Sequence, residues 1–155
     1  MVSTDYTGRL VDLFIMQGAQ PAGMRPITTG LDGNNGGKII AGVQKAAQTF
    51  IIIFLTEKGS RLHDAEFGTR FLTTIRHSNI NDSLMAIIFR DAAEDVLTQQ
   101  ERYFVAGQLD DEIISALDLI TFTVPNSTEM SLTVQLTTRA GTSRTVIVPV
   151  SLAVK

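Results

Sequence analysis

The sequence predicts an α+β fold in which two long helices pack on a small antiparallel sheet that ends in a C-terminal hairpin, preceded by an extended N-terminal arm. Between residues 38 and 104, apolar residues recur at the 3.6-residue period of a helix. After residue 116 they recur at the two-residue period of a strand. Helices followed by a run of strands are typical of this fold class. We divide the 155 residues into an arm, 1–37, and one domain, 38–155.

The arm combines a β-rich segment with a glycine-rich one. Residues 9–16 alternate, with Leu13 and Ile15 on the same side, a pattern typical of a strand or of a short docking segment. A strand added to the domain's own sheet and a segment that docks on another protein remain equal alternatives. Residues 17–37 are rich in glycine and contain Pro21 and Pro26, which predicts an arm or a long loop.

Helical periodicity predicts the next elements of the chain. Residues 38–56 form the first expected helix, and residues 69–76 a short helical turn. Capping residues at 79–82 precede a second long helix over residues 83–104. The apolar face of that helix is expected to include Met85, Ile88 or Phe89, Ala92, Val96 and Tyr103. Residues 110–112 are expected to cap one further short turn.

Strand alternation predicts the C-terminal sheet. Residues 117–124 form a strand that stops at Pro125, and residues 131–137 and 145–154 form a hairpin around a turn at 139–143. Proline donates no hydrogen bond, so Pro149 indicates an edge strand, which can pair with a strand of another chain. A packed hairpin whose edge binds nothing is the alternative. The partner-binding candidates here are Val134, Leu136, Val146, Ile147 and Val148.

We expect a soluble, globular protein without a cofactor, because the composition is that of a globular domain and the most apolar run, residues 50–55, is far too short to span a bilayer. Hydrophobic residues make up 44% and charged residues 19%, while a net charge of −3 offers no general attraction to nucleic acid or to an anionic membrane. The chain contains no cysteine, which excludes thiolate metal sites and thiol nucleophiles. We therefore expect no nucleic-acid partner, no membrane partner and no metal.

The sequence contains no recognisable arrangement of catalytic residues, and we therefore expect no enzyme. His63 and His77 lack a second ligand at helical spacing, so solvent-facing loop positions are preferred to a metal or general-base role. Residues 33–38 resemble a phosphate loop, but Asp32 and Ile39 stand where glycine and a hydroxyl residue are required. No pattern places Glu57, Glu66 or Glu101 as a pair across a cleft.

The connector between the first helix and the short helical turn resembles a known signature. Its motif is a helix that ends in threonine, a Gly-x-Arg turn, and Phe-Gly followed by a hydroxyl residue and an apolar one. The matching residues are Thr56, Gly59, Arg61, Phe67, Gly68, Thr69 and Phe71. In this respect residues 38–155 resemble the gpW-type baseplate wedge proteins of contractile tails, which include the T-even phage lysozyme-like wedge subunit and the type VI secretion component TssE.

We expect each motif residue to have a structural role in the connector. Gly59 should let the first helix stop, and Arg61 should tie the connector down. Phe67 should return to the core, and Gly68 should let the next helical turn start tightly. Glu101 and Arg102 stand near the place of the family's Glu-Pro-Arg, without the proline, and the resemblance makes them candidates for binding a partner.

The resemblance implies a structural, non-enzymatic subunit of the virion tail, assembled in the host cytoplasm. Six copies would surround the tail axis, bind other wedge proteins, the sheath protein and tube or hub proteins, and initiate the sheath by sharing strands. A cytoplasmic regulator of the same fold, which binds and blocks a partner, is the alternative; neighbouring tail genes would distinguish the two. An enzyme that acts on cell-wall glycan is a third hypothesis, tested by a muramidase assay.

Overall fold

The computed structural model describes residues 12–13, 16–17, 28–29, 39–103 and 105–152. Four short strands come first: β1 (Asp12–Leu13), β2 (Met16–Gln17), β3 (Thr28–Thr29) and β4 (Ile39–Ile40). Three helices follow: α1 (Val43–Leu55), α2 (Phe71–Arg76) and α3 (Asp82–Arg102). The last strands are β5 (Ile114–Asn126), β6 (Glu129–Thr138) and β7 (Ser143–Ser151). This order confirms the predicted α+β class with its C-terminal antiparallel sheet.

The strands form separate sheets in the described part of the chain. β5, β6 and β7 make one antiparallel sheet with β6 in the middle. β1 pairs with β4, and β2 pairs with β3. Of the described strand residues of the arm, β2 and β3 therefore pair with each other and β1 pairs with β4 at the start of the domain, and none pairs with the three-stranded sheet. The remainder of residues 1–37, Ile15 included, lies outside the described residues.

The first helix is shorter than predicted. Residues 38–56 were expected to be helical throughout, but Ile39–Ile40 is a strand and α1 begins at Val43. The reason is Gly42, whose φ of 62° lies in the left-handed region and ends the strand with a sharp turn before the helix. The predicted periodicity is correct from Val43 onward, where Ala46, Phe50 and Phe54 are buried.

The second long helix agrees with its prediction. α3 spans Asp82–Arg102, and the side chain of Asn81 accepts a hydrogen bond from the Leu84 amide at 2.9 Å, as an N-cap residue does. Met85, Phe89 and Val96 of its predicted apolar face are buried. The short helical turn is also confirmed, as α2.

The helices cover one face of the sheet, and the core lies between these layers. Phe54 is its centre, with ring centroids 4.4 Å from Phe71 and 5.7 Å from Phe89. Burial of one such side chain contributes about 1.5–3 kcal/mol. The sheet contributes Leu132 from β6 and Val148 from β7, both fully buried.

The first strand of the sheet is longer than predicted. It was expected over 117–124, but β5 begins at Ile114 and passes through Pro125 to Asn126. The early start depends on Gln100 of α3, whose side chain accepts from the Ile114 amide at 2.7 Å and donates to the Ile114 carbonyl at 3.0 Å. Pro125 is tolerated because β5 is an outer strand.

Candidate partner-binding surfaces

The outer edge of β7 is regular along its whole length. β7 pairs with β6 from Ser143 to Ser151 without a register shift. Among the described residues no other strand pairs with β7. A straight, unpaired edge presents backbone donors and acceptors to an added strand.

Alternation in the hairpin identifies the backbone groups that face outward. The Leu152 amide donates to Thr128 O at 2.8 Å, and the Thr138 amide donates to Thr142 O at 2.9 Å. Both pairs extend the β6–β7 register, in which even-numbered residues therefore bond across the hairpin. The odd-numbered residues Thr145, Ile147 and Pro149 face the open side. Pro149, which has no amide hydrogen, therefore stands at a position whose amide would face away from β6. This confirms the predicted edge position.

Most partner-binding candidates of the hairpin hold the core instead. The side chains of Val134 and Leu136 are fully buried on the middle strand, and those of Val146 and Val148 are buried on β7. They were named as residues of the strands that were expected to pair with a partner, and their side chains lie on the face that the helices cover. Ile147 is half-buried on the opposite face and remains a candidate through its outward backbone.

The outer edge of β5 is irregular. Its pairing with β6 shifts register between Ile114 and Ala116, between Leu119 and Thr121, and between Thr123 and Asn126. Such bulges twist a strand and interrupt its row of backbone groups. Ile120, at the second shift, is 54% exposed. β5 is therefore a poorer template for an added strand than β7.

The connector after α1 is closed by main-chain hydrogen bonds. Thr56 ends the helix in an extended conformation and accepts from the Thr69 amide at 2.8 Å, while the Lys58 amide donates to Thr69 O at 3.0 Å. The Thr69 hydroxyl donates to Phe54 O at 2.9 Å. The two ends of the loop are thereby joined, and α2 begins directly after them.

Gly68 fits a place that no other residue could occupy without a shift of the backbone. Its φ is +99°, and a Cβ there would lie 2.3 Å from Thr56 O. The Gln99 side chain of α3 accepts from the Gly68 amide at 2.7 Å and donates to the Gly68 carbonyl at 2.6 Å. Gly68 was expected to let the next helical turn start tightly; at this position the structure shows a close approach to Thr56 and α3, three residues before α2 begins.

The expected role of Gly59 is wrong. The helix ends at Thr56, three residues earlier, and Gly59 has a φ of +88° inside the turn closed by the Ser60 amide and Glu57 O at 3.0 Å. Arg61 does tie the connector down, since its guanidinium carbon lies 3.6 Å from the ring centroid of Phe67. Phe67 is buried in the core, as expected.

The end of α3 lies beside this connector. Nη1 of Arg102 lies 3.8 Å from Oδ1 of Asp64. The ring of Tyr103 packs edge-on against that of Phe67, with 5.7 Å between the ring centroids. Glu101 is exposed, and no hydrogen bond or ion pair involves its side chain in the described structure. An apolar groove of about 230 Å³ opens here, lined in part by Ile52, Tyr103 and Val105. Gln100 and Tyr103, the residues on either side of the pair Glu101 and Arg102 in the sequence, line this groove, whereas Glu101 and Arg102 themselves do not.

One carboxyl group of the connector has a shifted pKa. The hydrogen bond and charge of Lys58, whose Nζ lies 2.9 Å from the Glu66 carboxylate, hold the pKa of Glu66 below its usual value. Both side chains reach solvent. The pair is therefore an ordinary surface ion pair of small energy.

The histidines lie apart on the surface. His63 and His77 are both exposed. Within the described ranges no three His, Cys, Asp or Glu residues are grouped as metal ligands. In the same residues no helix has the length and apolar character needed to cross a membrane. Leu13 lies in β1, and its side chain is not described.

No pattern in the sequence indicated the contacts that two charged residues, Glu112 and Arg76, make in the fold. Glu112 is fully buried, and its carboxylate accepts from the Gly42 amide at 3.3 Å and from Lys45 Nζ at 3.1 Å. It thereby supplies the negative charge that the start of α1 lacks. Arg76 reaches the carbonyl of Ser151 on β7. These partners are 67 to 75 residues apart, so no local pattern signals them.

Comparison with known proteins gives a distant structural likeness. No protein-family model and no curated protein matches the chain. Among solved structures, the chain is similar to a crystal structure described as a candidate tail lysozyme from Geobacter sulfurreducens. Sequence identity is 14% and the TM-score is 0.47, over 76% of this chain and 97% of that chain. A likeness of this size carries no conclusion about function.

Proposed function

We propose that this chain is a structural subunit of a contractile-tail baseplate, which links inner wedge proteins around the tube and initiates sheath assembly by strand sharing. The observation that carries the proposal is the regular outer edge of β7, which no described strand covers. An added strand would gain main-chain hydrogen bonds there without any rearrangement of the hairpin.

The connector supports the same proposal. The motif residues Thr56, Phe67 and Gly68 meet in one closed unit beside the end of α3. The groove at Tyr103, at the end of α3 where Glu101 and Arg102 also lie, is the surface that we assign to the inner wedge proteins. The sheath edge and the wedge surface then lie on different elements, so one subunit can bind both kinds of partner at once.

The proposed assembly has six copies around the tail axis, within the virion tail, built in the host cytoplasm. Tube or hub proteins are further neighbours in this arrangement. Six copies per baseplate can be counted by mass measurement of purified baseplates, and a different stoichiometry would contradict the ring.

Substitution at the open edge tests strand sharing. Ile147→Pro removes one outward donor and leaves the bonds between β6 and β7 in place. We expect baseplates that carry this variant to assemble but to fail to start a sheath when purified sheath protein is added. Ile147→Val is the matched control, because it keeps the amide and the β-branched side chain. Normal sheath on Ile147→Pro baseplates, seen by electron microscopy, would refute strand sharing.

We also propose that the subunit is not an enzyme. The absence of cysteine and the two isolated histidines of the sequence support this proposal. Release of soluble fragments from purified cell-wall glycan by the full chain, lost on heat denaturation, would overturn it.

A further inference from the structure

An arginine lies at the end of the β7 edge with most of its hydrogen-bonding capacity unused. Arg76 is the last residue of α2, and its Nη2 donates to Ser151 O over a long 3.5 Å. Its Nε is buried and has no partner among the described residues. None of the ion pairs between described residues includes it.

The donor pattern of an arginine suits a carboxylate. Nε–H and one N–H of Nη2 point outward from the same edge of the planar guanidinium group, and such a pair of donors matches the two oxygens of a carboxylate. Near Ser151, an added strand would bring its own groups against Arg76, because the Ser151 carbonyl is one of the outward-facing groups of β7.

We infer that the strand which pairs with β7 carries an acidic side chain that binds Arg76. This inference rests on the proposed function, since it requires β7 to accept a strand. Arg76 would then fix the register of the incoming strand, because main-chain hydrogen bonds alone are the same for every two-residue slip.

The layers of the fold identify the position of the acid. α2 lies among the helices, so Arg76 reaches β7 from the face on which Val146, Val148 and Val150 are buried. Residues directly opposite each other on neighbouring strands point to the same face. The acidic residue therefore stands opposite Val150, and apolar residues stand opposite Val146 and Val148, where they extend the core. A chain-terminal carboxylate would lie in the plane of the sheet and not on that face.

Synthetic peptides test the inference on the intact protein. The probes are seven-residue peptides of alternating valine and threonine, acetylated and amidated, with either glutamate or glutamine at both ends. Isothermal titration calorimetry would measure their binding to the full chain. We expect the glutamate peptide to bind about tenfold more tightly, as one charge-assisted bidentate contact implies. A glutamine peptide with a free carboxyl end tests the other source of a carboxylate, and we expect no gain from it.

Variants of the chain assign the preference to Arg76. Arg76→Gln should remove the tenfold difference, and Arg76→Lys should keep only part of it, because lysine lacks the planar fork. Arg90→Gln, on the exposed side of α3, is the control and should leave the difference unchanged. Thermal melting confirms that each variant is folded, and the comparison of the two peptides on the parent chain stands without any variant.

The outcomes separate this inference from the proposed function. If no peptide binds, β7 does not accept strands and strand sharing fails with it. Equal binding of the glutamate and glutamine peptides would overturn the role of Arg76 and leave strand sharing intact. A preference that survives Arg76→Gln would also overturn it.

Discussion

The two outer strands of the sheet differ, although the same middle strand supports both. β7 pairs with β6 in continuous register, whereas β5 shifts register three times. The start of β5 is held by a side chain of α3, while Ile120 in its middle and Val124 near its far end are 54% and 45% exposed. At the far end of β7, Arg76 of α2 donates a hydrogen bond to the carbonyl of Ser151.

The difference shows how one sheet can have a closed and an open edge. Bulges on β5 break up the row of backbone groups, so an added strand would lose hydrogen bonds at each shift. On β7 the row is interrupted only where Pro149 lacks an amide. Proline at one position leaves a carbonyl and the neighbouring donors available, and it lowers the tendency of identical chains to stack edge to edge.

The largest loss of stability is expected from a substitution on β6, the middle strand that pairs with both outer strands. Leu132 is fully buried on the middle strand, so Leu132→Ala should leave a cavity and lower the free energy of unfolding by about 2–5 kcal/mol. Denaturant unfolding measures this value. Hydrogen exchange should quicken in β5 and β7 alike, and protection retained in one strand would show that the edges do not share one cooperative core.

The next largest effect should fall on the β5 edge. Gln100→Met keeps the length of the side chain but leaves the Ile114 amide and carbonyl unpaired, at a cost of about 1–3 kcal/mol for a buried group. Hydrogen exchange should increase at Ile114 more than in β7. Glu94→Gln, on the exposed side of the same helix, is the control. An unchanged rate of hydrogen exchange at the Ile114 amide would mean that Gln100 does not hold the start of β5.

Proline substitution compares the two sides of β7. Val148→Pro should destabilise the protein by about 1–3 kcal/mol, because it removes an amide that faces β6 and leaves its buried acceptor unpaired. Ile147→Pro should cost less, since its amide faces outward. Thermal or urea unfolding of the two variants gives the comparison, and equal destabilisation would refute the assignment of the outward side.

A smaller effect is expected on the exposed part of β5. Ile120→Lys changes an exposed side chain at a register shift and should alter the free energy of unfolding by no more than about 0.5 kcal/mol. In the assembly test it should also leave the start of the sheath unchanged. Failure of sheath initiation with this variant would show that β5, and not β7, is the functional edge.

The smallest effect is expected in the connector, away from both edges. The pKa of Glu66 is lowered in the folded protein by Lys58, so the pair stabilises the fold above the usual pKa of a glutamate. That contribution is lost as the pH falls through the lowered pKa. Glu66→Gln should therefore weaken the acid dependence of unfolding slightly and leave sheath initiation unchanged. A steeper acid dependence in the variant would contradict the sign.

The sequence by itself determined the elements and much of the connector. Periodicity located α3 and the hairpin, because burial of one face imposes a fixed spacing on apolar residues. The capping side chain of Asn81 marked the start of α3 for a similarly local reason. Pro149 indicated an edge, since a missing amide is a property of the residue itself. The motif also drew attention to Gly68, whose left-handed backbone and close approach to Thr56 exclude a side chain.

Tertiary structure decided which faces are covered and which distant groups meet. Alternation placed Val146 and Val148 on one face of β7, but it could not tell that the helices cover this face, because either face of a strand can be the buried one. Nor could it place Glu112 at the start of α1 or Arg76 at the end of β7. Those contacts join residues about 70 positions apart, and only the packing of helices on the sheet brings them together.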